Sequence, residues 1–274
     1  MSSSQSRSRD QPRVAFITAV FGTYEKSCKR FAPQTIPAAF IAFTDDPSII
    51  QANGWTVDAH PYHVTHRPPE WEPAWHNASN THTFCVAKYY KQSFHLIPRL
   101  SQFDVIIWVD GTVEITNAAT AEIVLQKVNE GAPLVAWQHE HRPVHTNAMQ
   151  QEMEASMACG RYGVTEWFGQ RQPFQDCPAQ VDKYMKDGYD WTFFPDGINM
   201  WVTCFVAFDM RWSACRAFLQ TWYQQTLQYT TQDQLSFPFT CWKLRVVPYS
   251  FPDGTIAGAG HSTTDLYTKH PHHL

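Results

Sequence analysis

The segment Phe103 to Val109 (FDVIIWV) is apolar at all but one position and stops at Asp110-Gly111. That junction constrains the fold most. A strand with one face in water alternates apolar and polar residues, whereas an apolar run bounded by turn residues is a strand covered on both faces. The pattern recurs. Arg13 to Val20 (RVAFITAV) closes at Phe21-Gly22-Thr23, Ala38 to Thr44 (AAFIAFT) closes at Asp45-Asp46-Pro47, and Trp55 to Ala59 makes a third short run. Helical periodicity fills the intervals. Phe84, Ala87, Tyr90 and Phe94 are spaced for a helix over 82–96 that carries Lys88 and Lys91. A second helix is predicted over 118–130, with Asn117 as its N-cap and Gly131 at its end. Leu134 to Trp137 reads as a strand, and Met149, Met153 and Met157 mark a helix closed by Gly160, its methionines read as core. Helices follow at 179–187 and 211–227, with strands at 202–208 and near 244–248. Strands alternating with helices predict an α/β/α sandwich around a mainly parallel mixed sheet. It forms one domain, 13–274, after a disordered lead-in over 1–12.

Composition narrows the class of function. Charged residues are 17% and aromatic residues 15% of the 274 positions, the reverse of a disordered chain. A net charge of -4 argues against binding nucleic acid through a basic surface. No apolar run approaches the roughly 20 residues of a membrane span, and MSSSQSRSRDQPR has no apolar signal-peptide core. The expectation is a soluble cytoplasmic protein. Its seven widely spaced cysteines include no C-x-x-C and are expected to be reduced and buried.

In open α/β sheets, ligands bind at the carboxyl ends of strands. Asp110 ends the clearest strand, where a carboxylate can meet a cation or can merely cap the next helix. His139 and His141 share one face of an extended segment beside Arg142, which suits a metal, a phosphate or an ordinary solvated loop. In Thr230 to Phe237 (TTQDQLSF), Thr231 is a candidate N-cap that places Asp233 in a helix's first turn. There the carboxylate either works in a cleft or only stabilises the helix. Residues 60–76 hold four prolines and two tryptophans and read as an irregular loop. Trp71, Trp75, Trp167 and Trp191 lie in such aperiodic stretches and are candidates for stacking on a sugar, against core packing as the ordinary alternative. His270-Pro271-His272-His273 reads as a surface tail.

Taken in order, VAFITAVFGTYE, FIAFTDDP, AKYYKQSFHLIP, FDVIIWVDGTVEI, HEHRPVHTNAMQQEMEA, FPDGINMWVTCFVAFDM and TTQDQLSFPFTCWKL resemble a known family. It is the glycosyltransferase-like family of plant mucilage-related proteins, and the likeness runs from about residue 13 to 250. Gln232 departs from it, standing where Arg is usual. The resemblance implies a GT-A-like, Rossmann-like sandwich that uses a nucleoside-diphosphate sugar, expected to be a UDP-sugar. Carried over by position, it points to Lys88, Lys91, Asp110, Arg142, Glu154, Asp233 and Gln234. Enzymes of this fold hold Mn²⁺ or Mg²⁺ on an Asp-x-Asp, but here the triplet is Trp108-Val109-Asp110 and lacks the first acid.

These readings give a metal-dependent glycosyltransferase, a hexosyl- or pentosyltransferase acting on a hydroxyl of a glycan acceptor. Val20, Phe21, Gly22, Tyr24 and Asp45 line the nucleoside. Lys88, Lys91, Trp108 and Val109 complete the donor side, and Arg142, His139, His141, Gln234 and Trp191 meet the sugars. Asp110 and His261 hold the metal. Asp233 is the catalytic carboxylate, with Glu154 as its competitor. The alternatives are a metal-dependent hydrolase using the histidines, or a catalytically silent carbohydrate-binding protein.

Overall fold

The computed structural model describes residues 12–22, 25–48, 50–68, 83–139, 147–158, 166–167, 170–171, 177–190, 197–251, 255–256 and 262–271. In chain order the first elements are β1 (Val14–Val20), β2 (Ala38–Thr44), β3 (Thr56–Asp58), α1 (Tyr62–Thr65) and α2 (Thr83–Gln92). Then come β4 (Val105–Val109), β5 (Val113–Ile115), α3 (Thr120–Asn129), β6 (Leu134–Gln138) and α4 (Ala148–Ala158). The two-residue strands β7 (Glu166–Trp167) and β8 (Gln170–Arg171) precede α5 (Cys177–Lys186), β9 (Trp201–Asp209), α6 (Cys215–Gln228) and α7 (Asp233–Lys243). Four short strands close the chain: β10 (Tyr249–Phe251), β11 (Thr255–Ile256), β12 (Ser262–Thr263) and β13 (Tyr267–Lys269).

Seven strands form the central sheet in the order β10-β6-β9-β4-β1-β2-β3. Every paired neighbour is parallel except β9, which runs antiparallel to both β4 and β6. The mainly parallel mixed sheet predicted from the apolar runs is therefore what the chain forms. All seven residues of β1 are buried, and so are all five of β4. Alternate residues serve opposite cores. Ala15, Ile17, Ala19, Ile106 and Trp108 pack with α2, α6 and α7 on one face. Val14, Phe16, Val20, Val105, Ile107 and Val109 pack with α3, β5 and Tyr267 on the other. Helices on both faces make the α/β/α sandwich.

Some local expectations shift. The strand predicted near 244–248 begins later, at Tyr249. Before it, Arg245 (φ 54°) lies in the turn closing α7, where Val246 N–H reaches back to Cys241 O. The cap of α3 is Ala119, and Asn117 supports it by accepting Ala119 N–H at 2.8 Å. A short helix, α1, interrupts the expected irregular loop. Cys28, Cys177, Cys204, Cys215 and Cys241 are buried. Met149 is fully buried, whereas Met157 is 45% exposed, so the methionine stripe is core at one end only. The lead-in over 1–11 and Gly160 lie outside the described residues.

Candidate active site

The sheet sets the place. β1 leads to β2 on one side, and its other neighbour β4 leads on toward β6 on the opposite side, so the chain diverges between β1 and β4 and a crevice opens at their carboxyl ends. Two glycines shape that edge. Gly22 turns the chain at φ 69°, a conformation favouring glycine. Its N–H reaches both carboxylate oxygens of Asp45, at 3.1 and 3.0 Å, which ties the ends of β1 and β2 together. At Gly111 a Cβ would meet Val20 Cγ2 at 3.3 Å, so β4 and β1 leave little room for a side chain there.

Four charged side chains converge in the crevice. Lys91 is 1% exposed, and its Nζ lies 2.6 Å from Asp233 Oδ2 and 3.3 Å from Asp110 Oδ1. Lys88 Nζ lies 2.8 Å from the same Asp233 oxygen. Thr203, on β9, donates its hydroxyl to Asp233 Oδ1 at 2.9 Å, so both oxygens of that carboxylate are engaged. Trp108 points to the same side of the sheet as Asp110, two residues on, and its Nε1–H donates to Asp110 Oδ1 at 2.7 Å. Lys91 also stands 5.6 Å from the Trp108 ring centroid and 5.9 Å from that of Trp222.

Helix ends favour these charges. Lys88 and Lys91 sit in the C-terminal half of α2, where a cation meets the negative end of the helix dipole, and Asp233 opens α7 at the positive end. Burial acts to raise the carboxyl of Asp110, yet Lys91, Lys88 and the Trp108 hydrogen bond bring it down to about 2. Burial also opposes the ionised form of Asp233, and the same two lysines outweigh it, so its pKa is lowered. For Lys88, burial prevails over Asp233 and the pKa falls, whereas for Lys91 the two carboxylates outweigh burial and it rises.

A second polar group adjoins the first. Glu152, buried on α4, accepts Gln232 Nε2–H at 2.7 Å and lies 3.4 Å from His139 Nε2. The Gln232 amide also donates to Ser156 Oγ at 2.8 Å. Gln232, not Thr231, is the N-cap residue of α7, so this network fixes the residue just before Asp233.

Of the residues singled out in the sequence, Asp110, Lys88, Lys91 and Asp233 come together, with Gln234 half-buried beside Asp233. Glu154 does not join them. It stands exposed and accepts a hydrogen bond from Gln150, because it projects from α4 on the side away from the buried Glu152. Val20, Phe21, Trp108 and Val109 have side chains in the two cores, since both faces of the sheet are covered. Phe21 stacks on Tyr90 at 5.0 Å rather than standing free for a base. His139 is buried against Glu152. Tyr24, His141, Arg142, Trp191 and His261 lie outside the described residues, as do Trp71 and Trp75; Trp167 falls in β7. Thr203, Glu152 and the indole N–H of Trp108 are the site groups that sequence reasoning missed.

For a divalent cation this donor set is poor. Asp110 Oδ1 already carries the Trp108 N–H and Lys91, which leaves one oxygen, Oδ2, on a side chain 36% exposed. Among the described residues no three His, Cys, Asp or Glu side chains converge as ligands. On these residues alone, a metal ion does not fit.

The fold and site thus define an α/β sandwich with a buried lysine-carboxylate cluster at the carboxyl edge of its sheet. No family profile matches the sequence, and no curated protein matches it. Among solved structures, mouse Xyloside xylosyltransferase 1 in its apo form is similar over 88% of this chain and 84% of that one, with 11% identity and a TM-score of 0.44. The apo WbbM bifunctional glycosyltransferase is similar over 88% of this chain, with 8% identity and a TM-score of 0.49. Only 39% of that second chain is covered.

Proposed function

We propose that this protein is a glycosyltransferase that moves a sugar from a nucleoside diphosphate, of the UDP type, to a hydroxyl of a glycan acceptor. The observation that carries the reading is the cluster of Lys88, Lys91, Asp110 and Asp233 at the carboxyl edge between β1 and β4. Preorganised cations at such an edge suit a leaving group that gains negative charge. In the reaction the anomeric C–O bond to the diphosphate breaks, and its electron pair stays on the diphosphate. The acceptor oxygen forms the new C–O bond and its proton passes to solvent. With both oxygens held by Lys88, Lys91 and Thr203, Asp233 is a fixed anion that positions the lysines. Asp110, through Oδ2, is the carboxylate open to the crevice.

The test is a panel of nucleotide sugars offered to the full chain with and without glycan acceptors, read as nucleoside diphosphate release. One donor is expected to be turned over, and Lys88→Met is expected to lower its rate by about 100-fold, the scale for losing one preorganised charge-stabilising group. If no donor is bound or consumed while esters or amides are hydrolysed, the transferase reading is wrong. Glycan binding without turnover of any donor would equally rule it out.

A further inference from the structure

Lys91 Nζ sits between two carboxylates from different elements, Asp110 after β4 and Asp233 at the start of α7. A divalent cation shared by two acids would take that position. The ammonium is fixed there by depth, since only 1% of the Lys91 side chain is exposed, and by the nearby Trp108 and Trp222 rings. Lys88 completes the group from one turn earlier on α2 and keeps 19% exposure. The four charges cancel, two ammoniums against two carboxylates. A dication at Asp110 would add positive charge beside two buried ammoniums, where water does little to screen it. A diphosphate brings the opposite sign. Of the two lysines, Lys88 is the one open to the crevice, and an ammonium has three N–H donors to share between Asp233 and a phosphate oxygen.

We infer that the Lys88–Lys91 pair acts as a built-in cation for the donor's diphosphate, so that a nucleoside diphosphate binds this site without a divalent metal. The inference rests on the transferase reading above and concerns the same crevice. As the anomeric C–O bond breaks, the diphosphate keeps the electron pair and gains one negative charge. Lys88 meets that charge directly. Lys91 holds the two carboxylates in place behind it.

Calorimetric titration of the full chain with UDP, GDP and ADP, in EDTA and again in Mn²⁺, tests this apart from turnover. One nucleotide is expected to bind with a Kd that agrees within about threefold between the two buffers. Lys88→Met should weaken it by about tenfold or more in both, while Lys88→Arg retains most of the affinity. An unchanged circular dichroism spectrum for Lys88→Met assigns its loss to the missing charge, and failure of Lys88→Arg to bind overturns the role of the cation. A gain of more than about tenfold with Mn²⁺ that Asp110→Asn erases also overturns the inference and leaves the transferase reading intact. No binding of any nucleoside diphosphate in either buffer removes both.

Discussion

Lys91 shows what a single residue does here. Its ammonium is the only charge in the cluster that touches both carboxylates, and all the side chains involved except Asp110 are largely buried. Lys91→Met would leave Asp110 and Asp233 facing each other with half their counter-charge gone. Removing one partner of a buried ion pair costs about 3–5 kcal/mol. In a chain of this size that corresponds to a fall in Tm of roughly 10 °C. A thermal melt checks it, and a fall under about 2 °C would mean the cluster contributes little to stability. Asp110 and Asp233 were legible from local pattern, one ending an apolar strand and the other opening a helix, whereas Lys88 and Lys91 became candidates through a resemblance of motifs. Their pairing was not legible. Residues 88, 91, 110 and 233 meet only because β4 lies beside β1 and α7 starts beside β9, which no local pattern encodes. Thr203 was hidden for the same reason, as a buried polar residue inside an apolar strand.

At the scale of elements, the strands were read most faithfully, because continuous burial on both faces writes itself as an apolar run. β2 has the bounds expected of it, and β1 and β4 each lose only their polar or partly buried leading residues. Helix faces were harder. On α4, Glu152 lies three residues after the buried Met149, and Ser156 seven after, so these share the inward face, while Glu154 points away. Counting from Met149 would have chosen Glu152. The consequence is a prediction about how α4 and α7 are joined. Gln232→Leu removes the donor shared by Glu152 and Ser156 and leaves a buried carboxylate short of a partner. The cost of such an unmet group is about 1–3 kcal/mol. Gln232→Arg keeps a donor directed at Glu152. A melt in which Gln232→Leu falls by about 4 °C and Gln232→Arg falls less is the expected result. Equal losses from the two would show that α7 is not fixed through this contact.

For the whole molecule, the sheet order decides where charge accumulates, and charge in turn decides how stability follows pH. Two histidines are held neutral by the packing. Burial, with Arg216 adding to it, lowers His95 to about 4, and among the described residues neither ring nitrogen has a hydrogen-bond partner. Burial and Arg67 lower His63 to about 4 despite the opposing Asp45. An unfolded chain protonates both near the ordinary value of 6.5, so between about 6.5 and about 4 the unfolded state binds more protons than the folded one. Stability then rises with pH across that window and is lost as pH falls through it. Asp110 behaves differently. Its carboxyl is depressed from 3.8 to about 2, so its contribution is complete above the ordinary carboxylate range and disappears as pH drops toward about 2. Two steps should therefore appear in acid. The first belongs to the histidines and the second to the lysine-carboxylate cluster. Melts of the full chain from about pH 7 to about pH 2 should show Tm falling by about 5 °C or more before about pH 4 is reached. His95→Phe, which keeps an aromatic ring and removes the titrating nitrogens, should flatten that first slope without changing the second. A His95→Phe protein whose Tm falls as steeply as the parent's over the first window would place the acid sensitivity elsewhere.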